Sequence, residues 1–93
     1  IKFERGFFVV FVYVLECADG TYYTGWTDEI NKRLEVHQSG KGAKYTRGRL
    51  PVKLILIEEV ENKSLALKRE AAIKKLSKKQ KEVLVKASQG GLT

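Results

Sequence analysis

The alternation of apolar and polar residues marks three strands in this chain. Residues 8–16 are apolar at both odd and even positions, which is typical of a central strand that is covered on both faces. The Asp19-Gly20 pair predicts a hairpin turn, and the Tyr-, Thr- and Trp-rich segment 22–26 predicts the second strand. Residues 52–60 alternate again, and they predict a third strand.

A helical period replaces the strand pattern between the second and third strands. Three residues mark one face of a first helix: Ile30, Leu34 and His37. Thr27 or Asp28 can cap its start, where the positive end of the helix dipole also suits Glu29. The helix is expected to end near Ser39-Gly40. Residues 39–51 then form a basic loop, which glycines interrupt and a proline closes.

Two further helices are predicted after the third strand. The first covers residues 65–76 after a start at Asn62 or Ser64. The second begins at Ser77, where the Ser-x-x-Gln pattern is a capping box, and it ends near Ala87.

The element order is β-β-α-β-α-α, and it predicts an α+β domain over residues 8–87. Its sheet is expected to have three strands, mostly antiparallel, flanked by helices. A parallel pairing across the first helix stays open for one pair of strands. Residues 1–7 and 88–93 are expected to be flexible termini.

Composition limits the class of protein. A chain of 93 residues with 43% hydrophobic and 31% charged residues predicts one globular domain with a modest core. No window approaches 18 uncharged apolar residues, and a hairpin turn rather than a cleavage site follows the first apolar run. We therefore expect a cytoplasmic protein. Cys17 is the single cysteine, so it predicts a packing residue rather than a disulfide or a thiolate metal cluster.

The net charge of +7 is unevenly distributed. Residues 1–40 hold four Lys/Arg and six Asp/Glu, whereas residues 41–93 hold fourteen and five. A cationic second half suits a polyanion, most often nucleic acid, although the same charge can serve solubility alone.

Five polar side chains in this chain match the needs of phosphodiester cleavage: Tyr13, Tyr23, Arg33, His37 and Glu70. Taken singly, each has an ordinary role as a core tyrosine, a helix-surface residue or, for Glu70, an i+4 partner of Lys74. Cleavage needs a base for water, a cation for the phosphate and a stabilised leaving oxygen. One carboxylate suffices for Mg²⁺ when waters and a substrate phosphate complete its octahedron.

The length of the hairpin loop decides whether the two tyrosines meet. A two-residue loop at Asp19-Gly20 would pair Tyr13 with Trp26 and place the two tyrosine rings on opposite faces of the sheet. An odd loop centred on Asp19 pairs Tyr13 with Gly25 and Leu15 with Tyr23, so that both rings share one face. We expect the odd loop, in which Gly25 leaves room for the Tyr13 ring.

Over residues 8–80 the ordered set of motifs resembles the GIY-YIG nuclease domain family. The family's two tripeptide motifs are matched by Phe-Val-Tyr at 11–13 and Tyr-Thr-Gly at 23–25. Its helix arginine, helix histidine and metal-binding glutamate are matched by Arg33, His37 and Glu70.

The chain also departs from the family pattern. Phe11 stands at a glycine position and Thr24 at an isoleucine position, and no match to the family's late asparagine follows Glu70. Segments 42–47 and 67–70 look most like small stand-alone bacterial members and the catalytic subunits of structure-selective endonucleases.

The resemblance implies an endonuclease that depends on Mg²⁺ or Mn²⁺ and acts on DNA, with branched or single-stranded DNA among its substrates. Tyr13 would act as, or position, the general base, with Tyr23 and His37 assisting. Arg33 would bind the scissile phosphate. Glu70 would face away from Lys74 and point into the cleft, where it would hold the metal near the leaving 3′ oxygen.

The resemblance also implies a nucleic-acid-binding surface on the basic loop, formed by Lys41, Lys44, Tyr45, Arg47 and Arg49. In it Tyr45 would stack on an exposed base or sugar. Family members usually carry a separate targeting domain, so a protein partner for targeting is a further expectation. Two alternatives stay open. One is a non-catalytic nucleic-acid-binding module that retains the fold, and the other is a basic scaffold protein with a protein partner.

Overall fold

Three strands and four helices make up the part of the chain that the computed structural model describes, residues 9–90. Their order and bounds are β1 Val10–Glu16, β2 Tyr22–Thr27, α1 Ile30–Gln38, α2 Lys44–Arg47, β3 Lys53–Val60, α3 Lys63–Lys74 and α4 Lys78–Gly90. The predicted α+β class and three-stranded sheet are confirmed. The short helix α2 was not predicted, because residues 39–51 were interpreted as loop throughout.

The sheet has the strand order β2-β1-β3, and both pairs are antiparallel. The alternative of a parallel pair across the first helix is therefore wrong. Tyr13 pairs with Gly25 and Leu15 with Tyr23, so the odd-loop register is confirmed. Because side chains alternate along a strand, this register places the Tyr13 and Tyr23 rings on the same face of the sheet.

Each face of β1 belongs to a different hydrophobic core. On one face the valines of β1 pack with residues of α3 and α4: Val10, Val12, Val14, Ala66, Ile73 and Val85. On the other face Tyr13, Leu15 and Cys17 pack with residues of α1: Ile30 and Leu34. Cover on both faces explains why β1 is apolar on both alternations. The helices thus form two layers, with the sheet between them.

The structure confirms the predicted starts of α3 and α4 and shifts that of α1. α1 has Glu29 as its N-cap residue, and Thr27 Oγ1 accepts a hydrogen bond from the Glu29 N–H at 3.1 Å. Thr27 and Asp28 therefore lie before the cap. Asn62 caps α3 by accepting from the Leu65 N–H at 2.9 Å. The capping box at the start of α4 is confirmed by its two reciprocal bonds, between Ser77 and Gln80, of 2.9 and 3.1 Å.

The predicted helix ends also shift. α3 ends at Lys74, two residues before the predicted end, and α4 continues to Gly90, beyond the predicted end near Ala87. Residues 88–90, which were assigned to the flexible C-terminus, are therefore helical. The remaining predictions for the termini fall on residues 1–8 and 91–93, which lie outside the described residues.

Side-chain hydrogen bonds hold the basic loop between α1 and β3 to α1 and to the β1–β2 turn. The Gln38 side chain donates to the Val52 carbonyl at 2.6 Å and accepts from the Val52 N–H at 3.2 Å. Arg49 donates to Asp19 in the β1–β2 turn at 2.9 Å and to the Tyr45 carbonyl at 2.7 Å. These contacts hold α2 beside the face that carries the tyrosines. No helix of the described residues is long and apolar enough to cross a membrane.

Candidate active site

A cleft of about 280 Å³ opens along β2 and brings four elements together. Its lining comes from β1, β2 with the turn after it, α1 and α3: Tyr13, Tyr23, Gly25, Trp26, Thr27, Asp28, Arg33 and Glu70. Four of the five side chains that were predicted to be catalytic thus line one cleft. The fifth, His37, is 1% exposed and lies behind Tyr13.

A buried hydrogen bond joins Tyr13 to His37, with 2.9 Å between Tyr13 Oη and His37 Nε2. The other ring nitrogen of His37, Nδ1, lies 3.0 Å from Thr46 Oγ1. The Tyr23 ring completes the cluster, with its centroid 6.4 Å from that of Tyr13 and 5.3 Å from that of His37. The register of β1 and β2 brings the two tyrosines together, and the buried face of α1 adds His37 to them. The three rings form one aromatic cluster.

Burial keeps both members of the Tyr13–His37 pair neutral. It raises the pKa of Tyr13 well above the usual value, and nearby Tyr23 raises that pKa further. Burial also lowers the pKa of His37, and the positive charge of Arg33 acts in the same direction. At neutral pH the cluster therefore holds a protonated tyrosine and an uncharged imidazole.

Two glycines permit the close packing of this cluster. A Cβ atom on Gly25 would lie 2.7 Å from Tyr13 Oη, and one on Gly42 would lie 2.5 Å from His37 Nδ1. Atoms that are not bonded do not approach so closely, so neither position accepts a larger residue without movement of the ring. The expected room for the Tyr13 ring at Gly25 is confirmed.

Glu70 reaches the cleft from α3, the helix on the opposite face of the sheet. The preceding residue, Arg69, forms a bidentate ion pair with Glu58 of β3 at 2.7 and 2.9 Å, which fixes α3 against the sheet. Glu70 Oε2 lies 3.2 Å from Lys74 Nζ, so the expectation that Glu70 faces away from Lys74 is wrong. The carboxylate contacts Lys74 and lines the cleft at the same time.

The cleft offers few metal ligands of its own. Within residues 9–90, no group of three or more His, Cys, Asp and Glu side chains is arranged to hold a metal ion. A metal at Glu70 would take most of its ligands from water and from a substrate phosphate, which is typical of Mg²⁺. The hard oxygen atoms of Glu70 fit that ion, and the carboxylate of Asp28 lines the same cleft.

Arg33 presents its guanidinium group to solvent at the cleft. In the described part of the chain, no carboxylate forms an ion pair with it. Its planar set of donors is therefore available for a phosphate group, which it can bind through two parallel hydrogen bonds.

The five predicted nucleic-acid-binding residues divide into two groups. Lys41, Lys44 and Arg47 are exposed, as expected. Arg49 is half-buried and forms an ion pair with Asp19, and its guanidinium carbon lies 3.9 Å from the centre of the Tyr45 ring. Arg49 therefore links the basic loop to the β1–β2 turn, and its guanidinium group is less free for a phosphate than the three exposed cations.

Tyr45 is 38% exposed, but its ring is already engaged. It stacks on Tyr23 with 6.1 Å between ring centroids and 26° between ring planes, and Arg49 covers its centre. A nucleic-acid base would have to displace Arg49 to stack on the covered part of the ring. In this arrangement Tyr45 supports Tyr23 from behind.

Several residues at the site were missed by sequence reasoning, namely Trp26, Thr27, Asp28, Gly42 and Thr46. Gly42 and Thr46 act through the conformation of the basic loop, which residue types alone do not define. Trp26 and Asp28 carried a signal, because Trp26 ends the predicted second strand and Asp28 lies at the predicted start of the first helix, and both elements supply site residues.

The model of the GIY-YIG catalytic domain family matches residues 9–83, and the chain belongs to this family of nuclease-type domains. Among similar proteins is a UPF0213 protein of Syntrophus aciditrophicus, 58% identical over 77 residues, which cover 82% of this chain and 88% of the relative. A UPF0213 protein of Halobacterium salinarum is 56% identical over 73 residues, which cover 78% and 95%. The names of these relatives state no activity or substrate.

Two solved structures share the fold. A solution NMR structure of a protein from E. faecalis superposes with a TM-score of 0.61 at 48% identity, covering 87% of this chain and 86% of that one. A solution NMR structure of a UPF0213 protein from Bacillus halodurans gives a TM-score of 0.57 at 46% identity, covering 85% and 84%.

Proposed function

We propose that this protein is a metal-dependent endonuclease that hydrolyses phosphodiester bonds in DNA. The observation that supports this function best is the shared cleft of Tyr13, Tyr23, Arg33 and Glu70, with His37 hydrogen-bonded behind it. Family membership supports a nuclease-type activity in general. The metal, the substrate and the residue roles are inferred from the family resemblance together with the chemistry of the cleft.

Tyr13 and His37 together activate the attacking water. A free Tyr13 phenolate is disfavoured, because burial raises the pKa of the phenol. Instead the proton of the water passes to Tyr13 Oη while the proton of Tyr13 passes to His37 Nε2, 2.9 Å away. The resulting hydroxide forms a bond to phosphorus, and the bond from phosphorus to the leaving 3′ oxygen breaks. That oxygen takes a proton from solvent water to become the 3′-hydroxyl group.

Arg33 and Glu70 provide the electrostatic part of the reaction. Arg33 binds the scissile phosphate and offsets the negative charge that grows on its oxygens in the transition state. Glu70 would hold a Mg²⁺ or Mn²⁺ ion, which when bound supplies positive charge near the leaving 3′ oxygen. Tyr23, stacked on Tyr45, fixes the wall of the cleft beside the attacking water.

The exposed cations of the basic loop bind the flanking phosphates. Lys41, Lys44 and Arg47 are exposed close to Tyr45, whose ring contacts the cleft residue Tyr23. They contribute affinity without sequence preference, because phosphate contacts carry no base information. The substrate is accordingly DNA bound without sequence preference, with branched and single-stranded forms as candidates and a protein partner supplying further targeting.

Alanine at Lys41, Lys44 and Arg47 together is expected to weaken DNA binding and flatten its salt dependence. Each lost phosphate contact lowers the slope of log K against log salt by roughly 0.7–0.9, so the triple variant should lose about two units. A matched control removes three exposed lysines from α3 and α4: Lys68, Lys79 and Lys86. Equal slope losses in the two variants, measured by fluorescence anisotropy, would show that the loop binds as general charge only.

The proposed function is tested by incubating the protein with plasmid, single-stranded and branched DNA in Mg²⁺, Mn²⁺ or EDTA. Strand cleavage with either metal and none in EDTA is the expected result. Binding to every substrate without cleavage under any condition would instead support the alternative of a non-catalytic nucleic-acid-binding module. Product ends carrying 5′-phosphate and 3′-hydroxyl groups would match the proposed direction of bond breakage.

A further inference from the structure

Thr46 is fully buried, and its hydroxyl group lies between two polar groups of the site. Thr46 Oγ1 donates to the Ala43 carbonyl at 3.0 Å and lies 3.0 Å from His37 Nδ1. A hydroxyl group has one proton, and a carbonyl oxygen can only accept. With that proton directed at Ala43, Oγ1 must accept a hydrogen bond from His37, so Nδ1 carries the ring proton.

This direction fixes the other end of the His37 ring. A neutral imidazole has one N–H group, so a proton on Nδ1 leaves a lone pair on Nε2. Tyr13 Oη, 2.9 Å from Nε2, then donates its proton to His37. The hydrogen bonds run in one direction from Tyr13 through His37 and Thr46 to the backbone at Ala43.

The opposite tautomer is poorer by one buried hydrogen bond. With the proton on Nε2, the Thr46 hydroxyl would have to turn from Ala43 to serve Nδ1, so it would make one bond instead of two. The Ala43 carbonyl would still accept hydrogen bonds from the backbone N–H groups of Thr46 and Arg47, at 3.1 and 3.2 Å. Buried polar groups favour the arrangement with more bonds, and that arrangement has the proton on Nδ1.

The remaining neighbours of the ring do not compete for Nδ1. Tyr23 of β2 meets His37 ring to ring, with centroids 5.3 Å apart. Arg33 lies one turn earlier on the same helix, and Gly42 packs against the ring without a side chain. Within residues 9–90, Thr46 is the one side chain that forms a hydrogen bond with Nδ1.

We propose that Thr46 is a positioning residue that holds His37 in the Nδ1–H tautomer, so that Nε2 is free to take the proton of Tyr13. Its catalytic consequence rests on the proposed function, in which Tyr13 passes a proton to His37. In the opposite tautomer His37 would donate to Tyr13 Oη and could accept no proton from it.

The tautomer is measured directly by two-bond ¹H–¹⁵N correlation spectra of the His37 ring, the single histidine of the chain. Wild type is expected to show a protonated Nδ1 and an unprotonated Nε2 at neutral pH. Thr46→Val keeps the shape of the side chain and removes its hydroxyl, so the spectrum should shift to the Nε2–H form. Thr46→Ser should retain the wild-type form, because the hydroxyl remains.

Thr24→Val is the matched control. Thr24 is also a buried threonine, on the opposite face of the sheet, and its hydroxyl lacks a hydrogen-bond partner within the described residues. Removal of the Thr24 hydroxyl should leave the His37 spectrum and the cleavage rate unchanged.

Thr46→Val should lower single-turnover cleavage about 10²-fold or more, the usual contribution of a positioned proton acceptor. Thr46→Ser should restore most of that rate.

The proposal and the proposed function fail in different ways. A protonated Nε2 in wild type, or an unchanged Nδ1–H tautomer in a folded Thr46→Val variant, would overturn the role of Thr46 whatever the cleavage rate. If Thr46→Val does not fold, the wild-type tautomer decides, with the Nε2–H form overturning the proposal. A protein that shows the expected tautomers and cleaves no DNA would retain the role of Thr46 as a tautomer anchor and lose the nuclease function.

Discussion

Replacing Glu70 by glutamine is expected to abolish Mg²⁺-dependent cleavage while the fold and DNA binding persist. The substitution keeps the shape of the side chain and removes the only charge that α3 contributes to the cleft lining. Stability should change little, because an i+4 ion pair on a helix, here with the half-exposed Lys74, is worth about 0.3–0.5 kcal/mol. DNA binding should be equal or tighter, since a negative charge leaves a site that binds phosphate.

Lys74→Ala provides the control for Glu70→Gln. It breaks the same 3.2 Å ion pair but leaves the carboxylate in the cleft, so cleavage should continue. The Mg²⁺ concentration needed for half-maximal cleavage should be equal or lower, because the lysine no longer competes with the metal for the carboxylate. Equal losses of cleavage in the two variants would mean that the ion pair matters, and that Glu70 is not a metal ligand.

Gly25→Ala is expected to damage the site and the fold together. The added Cβ would lie 2.7 Å from Tyr13 Oη and 2.8 Å from its Cζ, with Tyr23 Cε2 at 3.2 Å. The Tyr13 ring must therefore move, which separates it from His37. Overpacking of this kind typically costs about 1–3 kcal/mol of stability, and loss of the proton acceptor should lower cleavage about 10²-fold or more.

Gly48→Ala is the matched control for this glycine. A Cβ there meets no atom within 4 Å, and its φ of −94° suits any residue. This variant should melt and cleave like wild type. Chemical denaturation and single-turnover cleavage on both variants give the comparison. A Gly25→Ala variant with wild-type stability and rate would show that the cleft does not need Tyr13 in its present position.

The part of the site that lies on regular elements could be predicted from sequence. The position of Gly25 opposite Tyr13 follows from the parity of the hairpin loop, since a shift of one residue exchanges the two faces of a strand. The place of His37 follows from its helical spacing to Ile30 and Leu34. These are local rules of strand and helix geometry, so residue types and spacing carry them.

The conformation of the basic loop could not be predicted in the same way. Its shape depends on contacts between distant residues, such as Arg49 with Asp19, 30 positions earlier, and Gln38 with Val52. The family resemblance and its positive charge placed Arg49 among the phosphate contacts, but neither indicated its ion pair with Asp19. For the same reason Thr46 looked like an ordinary loop threonine until its contact with His37 was visible.

Glu70 shows a third kind of limit. Helix spacing indicated an ion pair of Glu70 with Lys74, whereas the family resemblance indicated a place in the cleft. These two positions of the carboxylate were treated as mutually exclusive. A carboxylate has two oxygens and several lone pairs, so it can meet a lysine and face a cleft together. Residue spacing describes neighbours on one helix, whereas the cleft depends on how α3 packs beside β2.

Single-turnover cleavage by Tyr13→Phe tests the central claim most directly, because Tyr13 links the cleft to His37. The variant keeps the ring and removes only the hydroxyl group. We predict wild-type DNA binding, a dispersed NMR spectrum typical of the folded protein, and cleavage slower by about 10²-fold or more in saturating Mg²⁺. A folded Tyr13→Phe variant that cleaves DNA at the wild-type rate would contradict water activation by the Tyr13–His37 pair.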